Sequence, residues 1–383
     1  MNDFDPNYPP FEERVFRFVI PPKQTPARLD VYLTGALANA TRSKVQEAIE
    51  SGAALVNGAI VKGSRKIQPG DVIECRLMKP PPLQLIPEDI PLDIVYEDEW
   101  LLIVNKPAGM VVHPGFGNRY GTLVNALLWH FGEREPVQIE GGESDDDEDD
   151  SEEIIPNDDG KENGEKSNAK AEGSADFFRS DDALLRSDAV RPGIVHRLDK
   201  DTSGILAIAK NARVHAHLAR QFAERTAKRR YYALVWGNLQ EDAGTIEGNI
   251  GRSPSDRKKM ALLTRGGKPA ITDYITLERF GNASLLELKL RTGRTHQIRV
   301  HCAHIHHPLI GDKTYGGASV VVAGARGEWK RRGERLLSLI PRQALHAKTL
   351  GFTHPARGVF MEFDSELPPD FAAALEEARK SAR

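Results

Sequence analysis

A long acidic tract of low complexity constrains this chain most, because it removes residues 138–188 from any hydrophobic core. The tract contains ESDDDEDDSEE followed by NDDGKENGEKSNAKAEGS, with 19 acidic and five basic residues in total. Such a composition buries too little apolar surface to offset the conformational entropy lost on ordering. We therefore predict an acidic disordered insertion over residues 138–188, in a surface loop of a larger domain. A domain tolerates such an insertion because loop-closure entropy grows slowly with loop length.

The charge of the remaining chain indicates a polyanionic partner. The whole chain has 52 Lys+Arg and 55 Asp+Glu residues. Removing the 19 acidic and five basic residues of the tract leaves 36 acidic and 47 basic residues, a net charge of +11. Basic surfaces of this kind favour RNA or DNA as the partner.

Cysteine usage and the absence of targeting signals favour a soluble cytoplasmic protein. Cys75 and Cys302 are the only cysteines, so the chain builds no disulfide framework and no four-cysteine zinc site. The start of the sequence, MNDFDPNYPPFEERVF, has acids and prolines where a signal peptide carries basic residues and then an apolar run. No stretch approaches the ~18 uninterrupted apolar residues of a membrane span, so we expect no membrane partner.

After a flexible lead over residues 1–14, residues 15–78 have the pattern of a small nucleic-acid-binding unit. RLDVYL and TRSKVQEAI predict two short helices, and Asn57-Gly58 predicts a tight hairpin turn. This order resembles the S4-type RNA-binding domain, matched by RLDVYL, TRSKVQEAI, GAALVNG and IQPGDVI. The resemblance implies RNA contacts by four basic residues on short elements and turns: Arg42, Lys44, Arg65 and Lys66. From the residues alone, an ordinary solvated surface is an equal alternative.

A proline-rich linker over residues 79–92 separates this unit from a larger domain over residues 93–378. Proline fixes φ and has no N–H group, so the segment suits a semi-rigid connector. Beyond it, DIVYE, LLIVNK, YYALVWG and LLELKLRT have β-rich composition, whereas FAAALEEARK is helical. The irregular alternation predicts an α+β fold with a mostly antiparallel mixed sheet.

The chemistry-bearing residues are concentrated in two charged stretches between apolar runs. They are HRLDKDTSG over residues 196–204 and RTGRTHQIRVH over residues 291–301. Strand–loop junctions of this type often hold catalytic groups. Taken alone, Asp199 is more simply interpreted as a surface ion-pair partner of Arg197 or Lys200.

Several longer motifs together resemble the RluA-type pseudouridine synthases. They occur in the order expected of that family: NKPAGMVVHPG, HRLDKDTSG, RRYYALVWG, RTGRTHQIRVH, HPLIGDKTYGG and RQALHA. The resemblance covers residues 15–137 and 189–375 and implies the pseudouridine synthase fold behind an S4-like domain. It also implies isomerisation of uridine in RNA, in which the N1–C1′ bond breaks and C5 joins C1′. That reaction has no redox change and no group donor, so we expect no cofactor, nucleotide or otherwise.

The resemblance implies three catalytic residues. The carboxylate of Asp199 acts as nucleophile or electrostatic partner at the ribose or the base, and Arg299 pairs with it. Arg294 is predicted to bind RNA and is the alternative partner of Asp199. Tyr231 stacks on the base and helps remove the C5 proton; Tyr232 is the alternative if the register differs by one residue. A single carboxylate argues against glycoside hydrolysis, which needs a paired acid and base.

Two further residues and a histidine group complete the predicted site. By resemblance, Arg197 enters the RNA stem when the target uridine flips out, which offsets part of the unstacking cost. Lys106 in NKPAG is predicted to shape the floor of the cleft and to bind RNA. Five histidines resemble a metal site, but the synthase motif already accounts for them and we assign no metal: His296, His301, His304, His306 and His307.

The sequence therefore predicts an RNA pseudouridine synthase that modifies specific uridines of large-subunit ribosomal RNA, free or in the assembling large subunit. Two alternatives remain open. The first is a catalytically silent rRNA-binding assembly factor, against which the intact set of Asp199, Tyr231 and Arg299 argues. The second is a synthase acting on transfer RNA.

Overall fold

The computed structural model describes seven stretches of the chain, and the predicted acidic insertion lies almost entirely outside them. The stretches are residues 12–37, 42–79, 84–115, 118–138, 193–256, 258–321 and 327–381. The chain forms two compact units, Met1–Pro82 and Leu83–Arg383.

The first unit combines two helices with a four-stranded antiparallel sheet in the order β1-β4-β2-β3. Its elements are β1 (Glu12–Val19), α1 (Leu29–Ala36), α2 (Arg42–Glu50), β2 (Ala54–Val56), β3 (Ala59–Ile60) and β4 (Val72–Lys79). Asn57 and Gly58 have φ values of 52° and 79°, so the hairpin turn forms where the sequence predicts it. The start of β1 differs from the prediction, because residues 12–14 already pair with β4 and do not belong to a flexible lead.

The core of the first unit is formed by one face of each helix packed on the sheet. Leu29 and Leu33 of α1 and Val45 and Ile49 of α2 are fully or nearly fully buried, at the helical spacing that the sequence shows. Cys75 of β4 lies in the same core, and burial raises the pKa of its thiol. This cysteine is therefore a packing residue.

The second unit is built on a ten-stranded sheet, and two further short strands, β5 and β8, form a separate pair. Its strands are β5 (Gln84–Leu85), β6 (Ile94–Glu97), β7 (Leu101–Lys106), β8 (Val137–Gln138), β9 (Ser203–Ala209), β10 (Lys228–Trp236), β11 (Ala243–Arg252), β12 (Met260–Leu263), β13 (Lys268–Arg279), β14 (Ala283–Leu290), β15 (Leu345–Thr353) and β16 (Phe360–Asp364). Its helices are α3 (Leu123–His130), α4 (Ala212–Ala223), α5 (Gln297–His304), α6 (Glu328–Leu339) and α7 (Pro369–Ser381). No described helix is long and apolar enough to cross a membrane.

The strand order confirms the predicted fold class. The sheet runs β12-β11-β13-β14-β10-β15-β9-β7-β6, with β16 beside β15. Among the described pairs only β15 and β9 are parallel, so the sheet is mixed and mostly antiparallel. A separate pair joins β5 to β8, which places residues 84–85 of the predicted linker in a strand of the second unit.

Alternation along the central strands divides the core between the two faces of the sheet. Leu102 and Val104 of β7 contribute to one cluster, and Leu101 and Ile103 contribute to another. The first cluster also contains Tyr231 of β10, so the face that it covers carries one of the predicted catalytic residues.

Candidate active site

Asp199 lies in a short connection that enters the sheet beside β9. Ile194 forms a bridge with Ile208, and the Asp199 carbonyl accepts a hydrogen bond from Thr202 N at 3.0 Å. Gly193 makes this close approach possible, since a Cβ at that position would lie 1.7 Å from the carbonyl oxygen of Ala209. The Asp199 side chain remains about one quarter exposed, so a ligand can reach its carboxylate.

The buried side chain of Lys106 supports the connection that carries Asp199. Its Nζ donates to the carbonyl oxygens of Pro107 at 2.8 Å, Met110 at 2.8 Å and Lys200 at 3.0 Å. The side chain is 1% exposed, and burial lowers its pKa to about 7. The negative charges of Asp199 and Asp201 act in the opposite direction and raise this pKa. The prediction that Lys106 binds RNA is therefore wrong, because three carbonyl groups use its protons and no phosphate can reach it. Its predicted place under the cleft fits this geometry.

Arg299 holds two carboxylates at once. Its Nη1 donates to Asp199 Oδ2 at 2.9 Å, while Nε and Nη2 donate to Asp312 Oδ2 and Oδ1 at 2.8 and 3.0 Å. Asp312 is fully buried and also accepts hydrogen bonds from the backbone N–H groups of Thr314 and Tyr315. Burial alone would lower the pKa of Arg299, but the hydrogen bonds that it donates to Asp312 and the charges of both carboxylates raise it above its usual value. The guanidinium is thus permanently charged and fixed in orientation.

The turn before α5 positions Arg299. Gln297 accepts a hydrogen bond from Thr292 Oγ1 at 2.7 Å and donates to Thr272 Oγ1 at 2.9 Å. His296 precedes the helix in the left-handed region, with a φ of 55°. A non-glycine residue adopts this conformation only where its surroundings fix it. His296 and Gln297 therefore form a rigid base for Arg299, the last residue of HQIR.

The side chain of His296 links Asp199 to a buried tyrosine. Its Nε2 lies 3.8 Å from Asp199 Oδ2, and its Nδ1 lies 2.8 Å from Tyr315 Oη. Tyr315 Oη also accepts a hydrogen bond from Met260 N at 3.0 Å, and the Arg299 guanidinium lies 5.0 Å from the centre of the tyrosine ring. Burial raises the pKa of Tyr315 to about 12 and lowers that of His296. At neutral pH the pair is therefore a phenol and an imidazole, both uncharged.

Sequence reasoning did not assign roles to Asp312 and Tyr315. Both lie in HPLIGDKTYGG, one of the motifs that carry the family resemblance. The signal was therefore present, but only the fold shows that the acidic residue of this motif is buried against Arg299.

The Asp199 charge acts on Tyr231 but is not among the charges that act on Tyr232. Tyr231 is buried in the core beside Leu286 and Leu288, and burial raises its pKa, with a further rise from the Asp199 charge and an opposing effect of Arg229. Tyr232 packs against a different core cluster. Of the two candidates, Tyr231 is therefore the one within electrostatic reach of Asp199.

The two remaining predicted arginines of the cleft differ from each other. Arg197 is exposed, and its positive charge lowers the pKa of His296. It therefore lies at the rim of the site. Arg294 donates through Nε to the Pro269 carbonyl at 3.2 Å. The alternative that Arg294 pairs with Asp199 is wrong, since Arg299 forms that ion pair.

Two of the four basic residues predicted to bind RNA in the first unit form intramolecular ion pairs. Arg42 lies 3.6 Å from Asp30 with its side chain 66% exposed, and Arg65 lies 3.2 Å from Asp71. Lys66 is exposed, and the side chain of Lys44 lies outside the described part of the structure. Exposed ion pairs exchange readily for contacts with phosphate. RNA binding by these residues stays a prediction.

The histidines of the 291–307 region are dispersed. His301 pairs through Nδ1 with Thr272 Oγ1 at 3.0 Å, and His307 pairs through Nδ1 with the Trp236 carbonyl at 2.7 Å. Across the described stretches, no group of three His, Cys, Asp or Glu side chains has the arrangement of a metal site.

Comparison with known proteins identifies the family to which this chain belongs. Residues 100–304, more than half of the chain, match the model of the RNA pseudouridylate synthase family, and residues 27–73 match the S4 domain. The fold and the charged site thus define an RNA-modifying enzyme with a separate RNA-binding domain. The chain belongs to the RNA pseudouridylate synthase family.

Individual relatives share nearly the full length of this chain. An uncharacterized RNA pseudouridine synthase of Chlorobaculum parvum is 44% identical over 93% of this chain and 95% of its own. RNA pseudouridine synthase 2, chloroplastic, of Oryza sativa is 39% identical over 94% and 81%, respectively. Ribosomal large subunit pseudouridine synthase D of Zymomonas mobilis is 39% identical over 90% and 91%. The predicted enzyme class, an RNA pseudouridine synthase, is confirmed.

Proposed function

We propose that this enzyme converts specific uridines of large-subunit ribosomal RNA to pseudouridine, with Asp199 as the essential carboxylate. The S4 domain supports an RNA substrate, and the name of the Zymomonas mobilis relative supports the large ribosomal subunit, as free RNA or during assembly. The proposed cellular location is the cytoplasm, where that subunit is assembled.

The reaction makes modest chemical demands, and the site meets them. The N1–C1′ bond of the flipped uridine breaks, the base turns, C5 joins C1′, the C5 proton is lost and N1 gains a proton. Asp199 acts at the ribose or the base while Arg299 fixes the direction of its carboxylate. Because burial raises the pKa of Tyr231, its hydroxyl is protonated at neutral pH. This favours a stacking and hydrogen-bonding role for Tyr231 over that of a free phenolate.

One observation carries the proposal: the chain of ion pairs from partly exposed Asp199 through Arg299 to buried Asp312. A buried ion pair does not require a third, exposed charge for its stability. The partly exposed carboxylate at the end of this chain is therefore held for a ligand. Arg197 at the rim is suited to enter the RNA stem as the uridine leaves it.

The test is pseudouridine mapping on large-subunit rRNA treated with the wild-type protein or with Asp199→Asn. The substitution keeps the size of the side chain and removes its charge, so we expect pseudouridine formation to fall by at least about 10³-fold while RNA affinity changes less than about threefold. Asp201→Asn is the matched control, because it removes a neighbouring carboxylate that contacts no residue of the Arg299 ion-pair chain among the described residues. Conversion that persists in Asp199→Asn would exclude this mechanism.

Substrate choice is tested in the same experiment. Transfer RNA and precursor ribosomal particles are treated in parallel with free rRNA. Modification of transfer RNA alone would replace the proposed substrate. Tight binding of rRNA without modification of any RNA would favour the assembly-factor alternative.

A further inference from the structure

Arg229 is a half-buried cation of the active-site region that the mechanism above does not use. It lies at the second position of β10, two residues before Tyr231. Its guanidinium carbon lies 5.4 Å from the centre of the Phe222 ring, and that ring stacks on His196 at 4.6 Å.

The Arg229 guanidinium contacts one segment that bounds the Asp199 site and acts electrostatically on two others. Arg229 Nη1 lies 3.1 Å from the point where a Cβ on Gly293 would stand, so it packs directly against the turn before α5. Burial lowers the pKa of His196, three residues before Asp199, and the Arg229 charge lowers it further. The Arg229 charge also acts to lower the pKa of Tyr231. Arg229 therefore contacts the RTGRT turn, and its charge acts on the HRLD segment and on Tyr231.

The hydrogen-bonding groups of Arg229 are unused within the described residues. Its Nε is buried and has no acceptor there, and no carboxylate of the described chain forms an ion pair with the guanidinium. A guanidinium has five N–H donors in its plane, and stacking on Phe222 leaves that plane open. A buried donor without an acceptor costs free energy, which an arriving acceptor recovers.

The neighbouring Arg230 shows what a purely structural arginine of this strand looks like. Alternation along β10 turns it to the opposite side, where it forms an ion pair with Glu362 at 3.3 Å and acts on Tyr232. Of these two adjacent arginines, Arg230 has an anionic partner, whereas Arg229 has none among the described residues.

We propose that Arg229 binds the phosphate group that flanks the target uridine in the RNA, on its 5′ or 3′ side. This inference rests on the enzyme acting on RNA in the cleft around Asp199. A flipped nucleotide carries its two phosphates with it, so a cation beside the base pocket meets one of them. The planar fork of arginine matches two phosphate oxygens, whereas a uracil carbonyl offers a single oxygen acceptor.

The first experiment compares Arg229→Met, Arg229→Lys and the control Arg230→Met. Methionine keeps the packing against Phe222 and removes the charge. We expect Arg229→Met to raise KM and Kd for the RNA about tenfold, with kcat changed less than about threefold, and to reduce the slope of log Kd against log salt by about 1. Arg229→Lys should recover part of the affinity, and Arg230→Met should leave KM within about twofold of wild type.

The second experiment identifies the phosphate. Two RNAs carry a single uncharged methylphosphonate linkage, one 5′ and one 3′ of the target uridine. For one of them, wild-type protein should lose about as much affinity as Arg229→Met loses on unmodified RNA, and the variant should lose little more on the modified RNA. Such non-additivity is the signature of a direct contact. Losses that multiply for both linkages, or no effect of Arg229→Met, would overturn the proposal.

Failure of this inference is distinguishable from failure of the proposed function. Both experiments have a binding readout that is independent of turnover. If Asp199→Asn were active, the mechanism would be wrong, yet the salt slope and the methylphosphonate comparison would still decide whether Arg229 contacts phosphate. If Arg229→Met binds RNA like wild type, the Arg229 contact is excluded whatever the role of Asp199.

Discussion

Arg299 is the residue on which the geometry of the site depends most. It joins a partly exposed carboxylate, Asp199, to a fully buried one, Asp312, through three hydrogen bonds. A planar fork can satisfy both carboxylates at once, whereas an ammonium group acts as a point charge. The identity of the cation is therefore as important as its charge.

We predict that Arg299→Lys lowers both activity and stability. Lysine keeps the positive charge but cannot bind Asp312 through two donors and still orient Asp199. Breaking a buried pair of this kind costs about 3 kcal/mol of unfolding free energy, and loss of carboxylate orientation should reduce kcat about 100-fold. Urea unfolding followed by tryptophan fluorescence and single-turnover pseudouridine formation measure the two effects.

The exposed Arg291 provides the control for this substitution. It forms an ion pair with Asp273 at 2.7 Å with its side chain more than half exposed, so Arg291→Lys should change the unfolding free energy by less than about 1 kcal/mol. If Arg299→Lys were equally mild, the ion-pair chain would not hold the site together.

At this scale, the motifs predicted Asp199, Tyr231 and Arg299 near one another, but not the residues that support them. Lys106 was predicted from the NKPAG motif to shape the floor of the cleft and to bind RNA. Its burial depends on three carbonyl groups that two distant loops bring together, and no local pattern encodes them. Asp312 was overlooked for the same reason, since its partner is a helix residue 13 positions earlier that the motif does not reveal as a contact.

At the scale of elements, Lys106 connects the loop after β7 to the connection that carries Asp199. We predict that Lys106→Met leaves the carbonyls of Pro107, Met110 and Lys200 without this donor. The unfolding free energy should fall by about 2–4 kcal/mol, and kcat should fall because the Asp199 connection loosens. The measurement is best made at pH 6.5, below the lysine pKa of about 7, where most of the amine carries all three protons.

Lys200→Met provides the comparison for Lys106→Met. The Lys200 side chain is exposed and donates to Asn118 Oδ1 at 3.2 Å, so its loss should leave the unfolding free energy within about 0.5 kcal/mol of wild type. Equal stability of the two variants would mean that the buried ammonium does not support the connection.

Local patterns predicted most elements, and long-range pairing explains the exceptions. The helices of the first unit and the Asn57-Gly58 hairpin follow from spacing and turn chemistry within a few residues. The early start of β1 depends on Glu12 pairing with Lys79, and β5 forms because Leu85 pairs with Val137. Such partners are far apart in sequence, so composition alone does not reveal them.

At the scale of the whole molecule, the two units differ in their content of histidine and tryptophan. All 12 histidines and all four tryptophans follow residue 82, so the first unit contains neither type. His301 and His346 are fully buried in the second unit, and burial lowers the pKa of each to about 4. In an unfolded chain the same groups titrate near pH ~6.5.

We therefore predict that only the second unit loses stability between pH 6.5 and pH 4. In this window the unfolded chain binds protons at these histidines and the folded unit does not, so its free energy of unfolding falls by about 1.4 kcal/mol per pH unit for each histidine. Urea unfolding followed by tryptophan fluorescence reports this unit alone. His301→Asn should reduce the pH slope, whereas the control His306→Asn, at an exposed position just after the same helix, should not.

The first unit should respond to acid only at lower pH. A hydrogen bond from Arg28 holds the pKa of Asp30 below its usual value, and a backbone hydrogen bond from Gln68 does the same for Asp71. The stabilisation that depressed carboxyl groups provide is complete above their unfolded pKa of about 3.9 and is lost only as the pH falls through the folded values. Amide hydrogen exchange in α1, corrected for the intrinsic rate, should therefore show constant protection from pH 6.5 to pH 5, while tryptophan fluorescence shows the second unit weakening. Protection in α1 that falls together with the fluorescence transition would mean that the two units unfold as one.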